Sequence, residues 1–203
     1  MNLDLHHTEN GSVLILDDVH TENVYQEILN DVLSLLEQNK LQAHDHIGTA
    51  KTDGDYSSLR KGIDLDGHFK DQRENFSYFK NHLNVMAKIA QQTQKLPFIF
   101  RAIEKTNYDA SLLGVYGRND QYRVHNDEAL YTTIFFLCDE KKFNGGNLIF
   151  DEMNLEVEFK KNRLVFFPSW TYHHVSKVIY PESFIPKINE YRMSIATFYT
   201  IKF

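Results

Sequence analysis

His125 and Asp127 stand two positions apart, just before a run of strand-forming residues from Tyr131 to Cys138. In extended backbone, positions i and i+2 project to the same side, so an imidazole and a carboxylate at this spacing suit two ligands of one metal ion. The third ligand must come from another strand. His173 and His174 are the candidates, the first forty-six positions beyond Asp127, across an interval that holds three or four short apolar runs. Two histidines and a carboxylate make a facial triad, which leaves three adjacent coordination positions open on iron(II). His44-Asp45-His46 imitates the triplet, but it follows a helical pattern and has no strand pattern around it.

Such a site needs a rigid sheet, and the second half of the chain supplies one. From about Asp109 onward come "ASLLGVYG", "YTTIFFLC", "GNLIF", "LEVEF", "RLVFFP", "HHVSKVIY" and "RMSIATFYT", separated by turn residues such as Asn144-Gly145-Gly146 and Lys161-Asn162. This many short strands with no helix between them predict an antiparallel sandwich or jelly roll rather than a parallel sheet. The first half reads helical. After a short strand, "SVLILDDV", Thr21 can cap a helix with Val24, Tyr25, Ile28, Val32, Leu35 and Leu36 on its core face. A second helix runs from about Asn75, with Phe76, Phe79, Leu83, Met86, Ile89 and Ala90 inward, and Pro97 opens a short third one. The expectation is a mainly β fold with supporting α-helices, in one domain over residues 1–203: helices at about 20–105, the jelly-roll core at about 109–203. The Gly- and Asp-rich segment from His44 to Arg73 has no clear periodicity, and its charged residues Asp53, Asp55, Arg60 and Lys61 suggest a lid.

Composition narrows the function classes. The 203 residues carry 28 acidic and 22 basic side chains, a net charge of −6, so the chain offers no overall electrostatic footprint for nucleic acid or an anionic membrane. The single cysteine, Cys138, rules out an intramolecular disulfide and a cysteine-based zinc site. "MNLDLHHTEN" has neither the basic start nor the apolar stretch of a signal peptide, and a cytoplasmic protein, monomer or homodimer, is expected.

Four blocks in order, "HND", "GGNLIF", "RLVFFPSWTYHHVSKV" and "YRMSIATFY", resemble the catalytic domain of the Fe(II)/2-oxoglutarate-dependent dioxygenases, in particular the prolyl 4-hydroxylase type. The resemblance covers roughly Asp109 to Phe203 and implies a double-stranded β-helix. It implies His125, Asp127 and His173 as the metal ligands, the choice of His173 following the family's histidine, any residue, valine pattern. It implies Arg192 as the partner of the distal carboxylate of 2-oxoglutarate, with Ser194 as an added hydroxyl donor and Tyr116 as a further cosubstrate contact. A guanidinium offers a carboxylate two parallel donors, which is the physical sense of that role.

"VYGRNDQYRVHND" also follows the family's upstream pattern at Tyr116 and Tyr122, with Asn119 in place of the usual glycine. Phe136 stands where several prolyl hydroxylases carry a cosubstrate tyrosine, and "IYPESFIPKINE" lengthens the loop before Arg192.

The implied reaction is hydroxylation of a C–H bond, coupled to conversion of 2-oxoglutarate and dioxygen into succinate and carbon dioxide, with iron(II) as the metal and ascorbate as a candidate reductant. The Asp127 carboxylate favours hydroxylation, since related halogenases have Gly or Ala there. A peptidyl prolyl residue, a free amino acid and another small molecule are all compatible substrates. The rival readings are a non-catalytic jelly-roll metal-binding protein and a cupin-like metal enzyme that does not use 2-oxoglutarate.

Overall fold

A computed structural model describes residues 2–43, 45, 49, 51, 52, 55, 56, 58, 60–92 and 95–203. His44, His46, Asp53 and the side chain of Asp55, all singled out in the sequence, lie outside the described residues. Two antiparallel sheets face each other. The larger has seven strands in the order β1 (Asn2–Thr8), β2 (Gly11–Asp17), β12 (Leu164–Pro168), β8 (Tyr131–Leu137), β15 (Arg192–Thr200), β6 (Tyr108–Tyr116) and β5 (Lys61–Asp64). The smaller has four, in the order β11 (Leu155–Val157), β10 (Leu148–Phe150), β13 (His173–Val175) and β7 (Tyr122–His125). Two short pairs complete the strands, β9 (Asn144–Gly145) with β14 (Val178–Ile179) and β3 (Lys51–Thr52) with β4 (Asp55–Tyr56).

β8, "YTTIFFL", is buried at every position because the large sheet is covered on both faces. Phe135 and Leu137 join the core shared with the helices, whereas Ile134 and Phe136 face the small sheet, as strand alternation requires. Leu148, Phe150, Val157 and Val175 of the small sheet close this second core. The architecture is the mainly β double-stranded β-helix with supporting helices.

The outer face is covered by α1 (Glu22–Glu37) and α3 (Ser77–Ala90); a short α2 (Leu65–Phe69) precedes α3. The Thr21 hydroxyl accepts from the Val24 N–H at the start of α1. Tyr25 ties the helix to the sheet by donating its hydroxyl to the Cys138 carbonyl at 2.6 Å and accepting the Cys138 N–H at 3.1 Å.

Several expectations need correction. Leu83 was expected inward but is 60% exposed, because α3 turns Tyr78, His82 and Val85 to the sheet, where Tyr78 bonds the Thr197 hydroxyl and His82 bonds Tyr199. The segment after Pro97 is a 3-10 helix, Phe98–Lys105. The strand expected at "SVLILDDV" is β2, and the large sheet also recruits β1 and β5, which the sequence did not mark as strands. Gly145 and Gly146 are not a simple hairpin turn: Asn144–Gly145 pairs with β14, and both glycines hold φ of +68°. Asn119, at φ +63°, does adopt the left-handed turn for which the family usually has glycine.

Candidate active site

β7 and β13 are antiparallel neighbours whose register sets His173 opposite His125. Asp127 lies just beyond the end of β7, not in extended strand as the i, i+2 argument assumed. It is held instead by its backbone N–H, which donates to the Ser169 carbonyl at 2.9 Å. His125 Nε2 stands 3.7 Å from Asp127 Oδ1, and His173 Nε2 stands 3.7 Å from Asp127 Oδ2. One ligand atom from each of the three residues lies within 4.8 Å of the others, the spacing of groups that could share one metal ion. His174 points away, with Nδ1 3.1 Å from Asp151 Oδ2.

The surrounding hydrogen bonds orient these atoms. Each Nδ1 meets a backbone carbonyl, that of Arg123 for His125 at 2.8 Å and that of Thr171 for His173 at 2.9 Å. A carbonyl only accepts, so both rings carry a proton on Nδ1, the tautomer that in a neutral imidazole leaves Nε2 as the lone pair facing the cluster. Burial, then the neighbouring His173, lowers the His125 pKa to about 3, so its lone pair stays available well into acid. The Thr132 hydroxyl donates to Asp127 Oδ2 at 2.6 Å and in turn accepts from the Ser169 hydroxyl at 2.8 Å. Thr132 and Ser169 carried no signal in the sequence, because a hydroxyl on a strand is as often filler as support.

The same cavity, about 890 Å³, contains Arg192, Ser194 and Tyr116. Arg192 is fully buried on β15, an interior strand between β8 and β6. Its Nε donates to the Gly146 carbonyl at 3.1 Å and its Nη1 to Ser194 Oγ at 2.8 Å. Its guanidinium carbon lies 4.3 Å from the centroid of the Tyr116 ring and 5.3 Å from that of Phe136. Nη2 is buried and has no hydrogen-bond partner among the described residues. Burial lowers the Arg192 pKa to about 10, which still leaves it charged at neutral pH. An orphaned donor on a buried cation fits an anionic ligand whose carboxylate reaches this end of the cavity. The long loop before Arg192 supports it: the Tyr180 hydroxyl accepts the Arg192 N–H at 3.2 Å. Tyr172, half exposed, lines the cavity; Trp170 is half exposed and is not part of the lining. Arg60, grouped in the sequence with the charges of a lid, is buried in the cavity wall, while Lys61 is exposed.

A jelly roll that gathers two histidines, an aspartate and a buried arginine in one cavity could hold a metal ion and an anionic ligand side by side. Residues 112–200, which carry all four, match the sequence model described as the 2OG-Fe(II) oxygenase superfamily. Solved structures share the fold at low identity. A Pseudomonas putida prolyl-4-hydroxylase aligns over 96% of this chain and 94% of its own, with a TM-score of 0.64 and 13% identity. A Trichoplax adhaerens prolyl hydroxylase, in complex with a hypoxia inducible factor oxygen degradation domain peptide fragment, aligns over 95% and 84%, with a TM-score of 0.64 and 14% identity. A viral collagen prolyl hydroxylase from Paramecium Bursaria Chlorella virus-1 aligns over 93% and 96%, with a TM-score of 0.51 and 12% identity. No curated protein matches the chain significantly by sequence. Among the described residues, no helix is long and apolar enough to cross a membrane.

Proposed function

We propose that the protein is an Fe(II)- and 2-oxoglutarate-dependent dioxygenase that hydroxylates a C–H bond of a peptidyl prolyl residue, a free amino acid or another small substrate, releasing succinate and carbon dioxide. The observation that carries this reading is the pairing, in one cavity, of the His125, Asp127 and His173 cluster with a buried Arg192 whose Nη2 lacks a partner. Iron(II) with 2-oxoglutarate supplies the activation of dioxygen and the oxidising equivalents. The chain's own groups do the rest. His125 and His173 offer Nε2 lone pairs fixed by their Nδ1 bonds, and Asp127 offers a carboxylate held in place by Thr132. Arg192 and Ser194 receive the distal carboxylate of 2-oxoglutarate, with the Tyr116 ring against the guanidinium. Apolar walls such as Leu112, Ile134 and Val175 keep water from the reacting atoms. Ascorbate is the proposed reductant that keeps the iron ferrous between turnovers.

The test is succinate formation by purified protein given iron(II), 2-oxoglutarate and oxygen, with a mass-spectrometric search for a 16-dalton gain in added substrates. Loss of succinate formation in His125→Ala and Asp127→Ala is expected. Wild-type protein that neither forms succinate nor develops the weak visible band of the anaerobic iron and 2-oxoglutarate complex would overturn the reading.

A further inference from the structure

Arg60 is a second guanidinium in the wall of the cavity. Its place is set by core strands: it directly precedes β5, which pairs with β6, and its N–H donates to the hydroxyl of Ser58, itself bridged to Tyr122. The residue is 5% exposed. Its guanidinium carbon lies 4.3 Å from the Tyr122 ring centroid, and that ring stacks on His125 at 3.8 Å, so the charge stands no more than about 8 Å from a ring of the metal cluster. Gly114 makes the room, since a Cβ there would come within 3.1 Å of Arg60 Nε. The one hydrogen bond its guanidinium makes to the described residues is long, from Nη1 to Thr49 Oγ1 at 3.4 Å, and no described carboxylate pairs with it. The other charged groups of the lining are Arg192, Asp127 and Glu128, the last exposed at the rim.

A guanidinium on a residue 5% exposed, facing the cavity and making one long hydrogen bond to the described residues, is matched to an anion that arrives from outside. Arg192 already answers to the cosubstrate. We propose that Arg60 receives a carboxylate of the primary substrate, and that the substrate is therefore a small carboxylic acid, a free amino acid in the first place, rather than an internal residue of a peptide. A neutral peptide group would leave the buried charge uncompensated, whereas a carboxylate takes two parallel donors from the planar fork. Held there, the acid brings only the few carbons next to its carboxylate over the metal cluster, so oxidation falls within a few bonds of that group. The inference rests on the dioxygenase reading above.

Wild type, Arg60→Gln and Arg60→Lys are loaded anaerobically with iron(II) and titrated with 2-oxoglutarate by the visible band. Free L-amino acids, their carboxamides, and a proline-containing peptide acetylated and amidated at its ends are then added. Two signals are read: perturbation of the band, and succinate formed on admitting oxygen. The expected result is a free acid that perturbs the band and accelerates succinate formation over the substrate-free rate, with its carboxamide roughly 30-fold weaker or worse. Arg60→Gln raises the half-saturating concentration of that acid by a similar factor, Arg60→Lys recovers part of it, and the 2-oxoglutarate titration stays within about threefold in both. That unchanged titration also reports that the variants are folded. Equal response to acid and amide, acceleration by the capped peptide alone, or no response to any free acid overturns the proposal. So does a 2-oxoglutarate titration shifted by Arg60→Gln, which makes Arg60 part of the cosubstrate site. Absence of both the band and substrate-free succinate in wild type removes the dioxygenase reading and this inference with it.

Discussion

Replacing Arg192 by alanine removes a charge that the fold holds at 0% exposure at one end of the cavity. The bonds from Nε to Gly146 and from Nη1 to Ser194 fix the plane of the fork, leaving Nη2 to meet a carboxylate. Losing a charge-assisted pair shielded from water costs about 2 to 5 kcal/mol, which corresponds to a roughly 30-fold to several-thousand-fold weaker affinity for 2-oxoglutarate. The three metal-cluster side chains make no bond to Arg192, so iron affinity should change by no more than a few-fold. Arg192→Lys keeps the charge without the planar fork and should fall between the two. Anaerobic titration with 2-oxoglutarate, followed by the visible band and paired with iron titration in its absence, separates the two constants. An unchanged 2-oxoglutarate constant would refute the assignment. Lys177 and Arg163 are the next basic residues by sequence, but Lys177 is exposed and Arg163 is bonded to Asp17 through Nε at 2.6 Å and Nη2 at 3.0 Å. The anchor would then pass to Arg60.

Further outcomes follow from individual contacts. His173→Ala should abolish succinate formation and weaken iron binding, while His174→Ala should leave iron bound and cost at most about 1 kcal/mol through its half-exposed contact with Asp151; the reverse pattern shifts the ligand by one residue. Gly146→Ala should raise the 2-oxoglutarate requirement without changing iron affinity, because φ is +68° and the new Cβ would stand 3.1 Å from Arg192 Cγ; an unaltered requirement would separate this turn from the anchor. Burial lowers the pKa of His20 to about 4 and of His82 to about 3, so below about pH 6.5 the unfolded chain binds protons that the folded chain refuses. Stability should therefore fall as pH drops from about 6.5 toward 4, by up to about 1.4 kcal/mol per unit for each histidine, and a flat profile in denaturant titrations between pH 6.5 and 5 would contradict it. Tyr25→Phe, which strips both Cys138 backbone groups of their partner, should cost about 1 to 3 kcal/mol in the same assay with no loss of iron affinity.

Local pattern and local chemistry were legible in the residues themselves. The short apolar runs after Asp109 announce strands because β-branched and aromatic side chains suit a pleated, half-buried surface, and α1 announces itself by its apolar stripe and the Thr21 cap. His125 with Asp127, and the ordered blocks of which the last contains Arg192, mark the candidate site in the sequence. What the one-dimensional pattern could not decide depends on which segments meet. β1 and β5, which the sequence pattern did not mark, form the two edges of the large sheet. Leu83 is turned outward because His82 and Tyr78 find partners on the sheet. Of His173 and His174, between which the residues alone leave the choice open, the register of β13 against β7 brings His173 to His125 and Asp127, since alternation sends neighbouring side chains to opposite faces. Arg60 shows the limit most clearly. In the sequence it is one charge among several in an irregular segment, and its burial beside Tyr122 and opposite Gly114 depends on residues more than fifty positions away. Its burial is a property of the assembled cavity, because desolvation is set by all the atoms that surround a group and not by its neighbours in the chain.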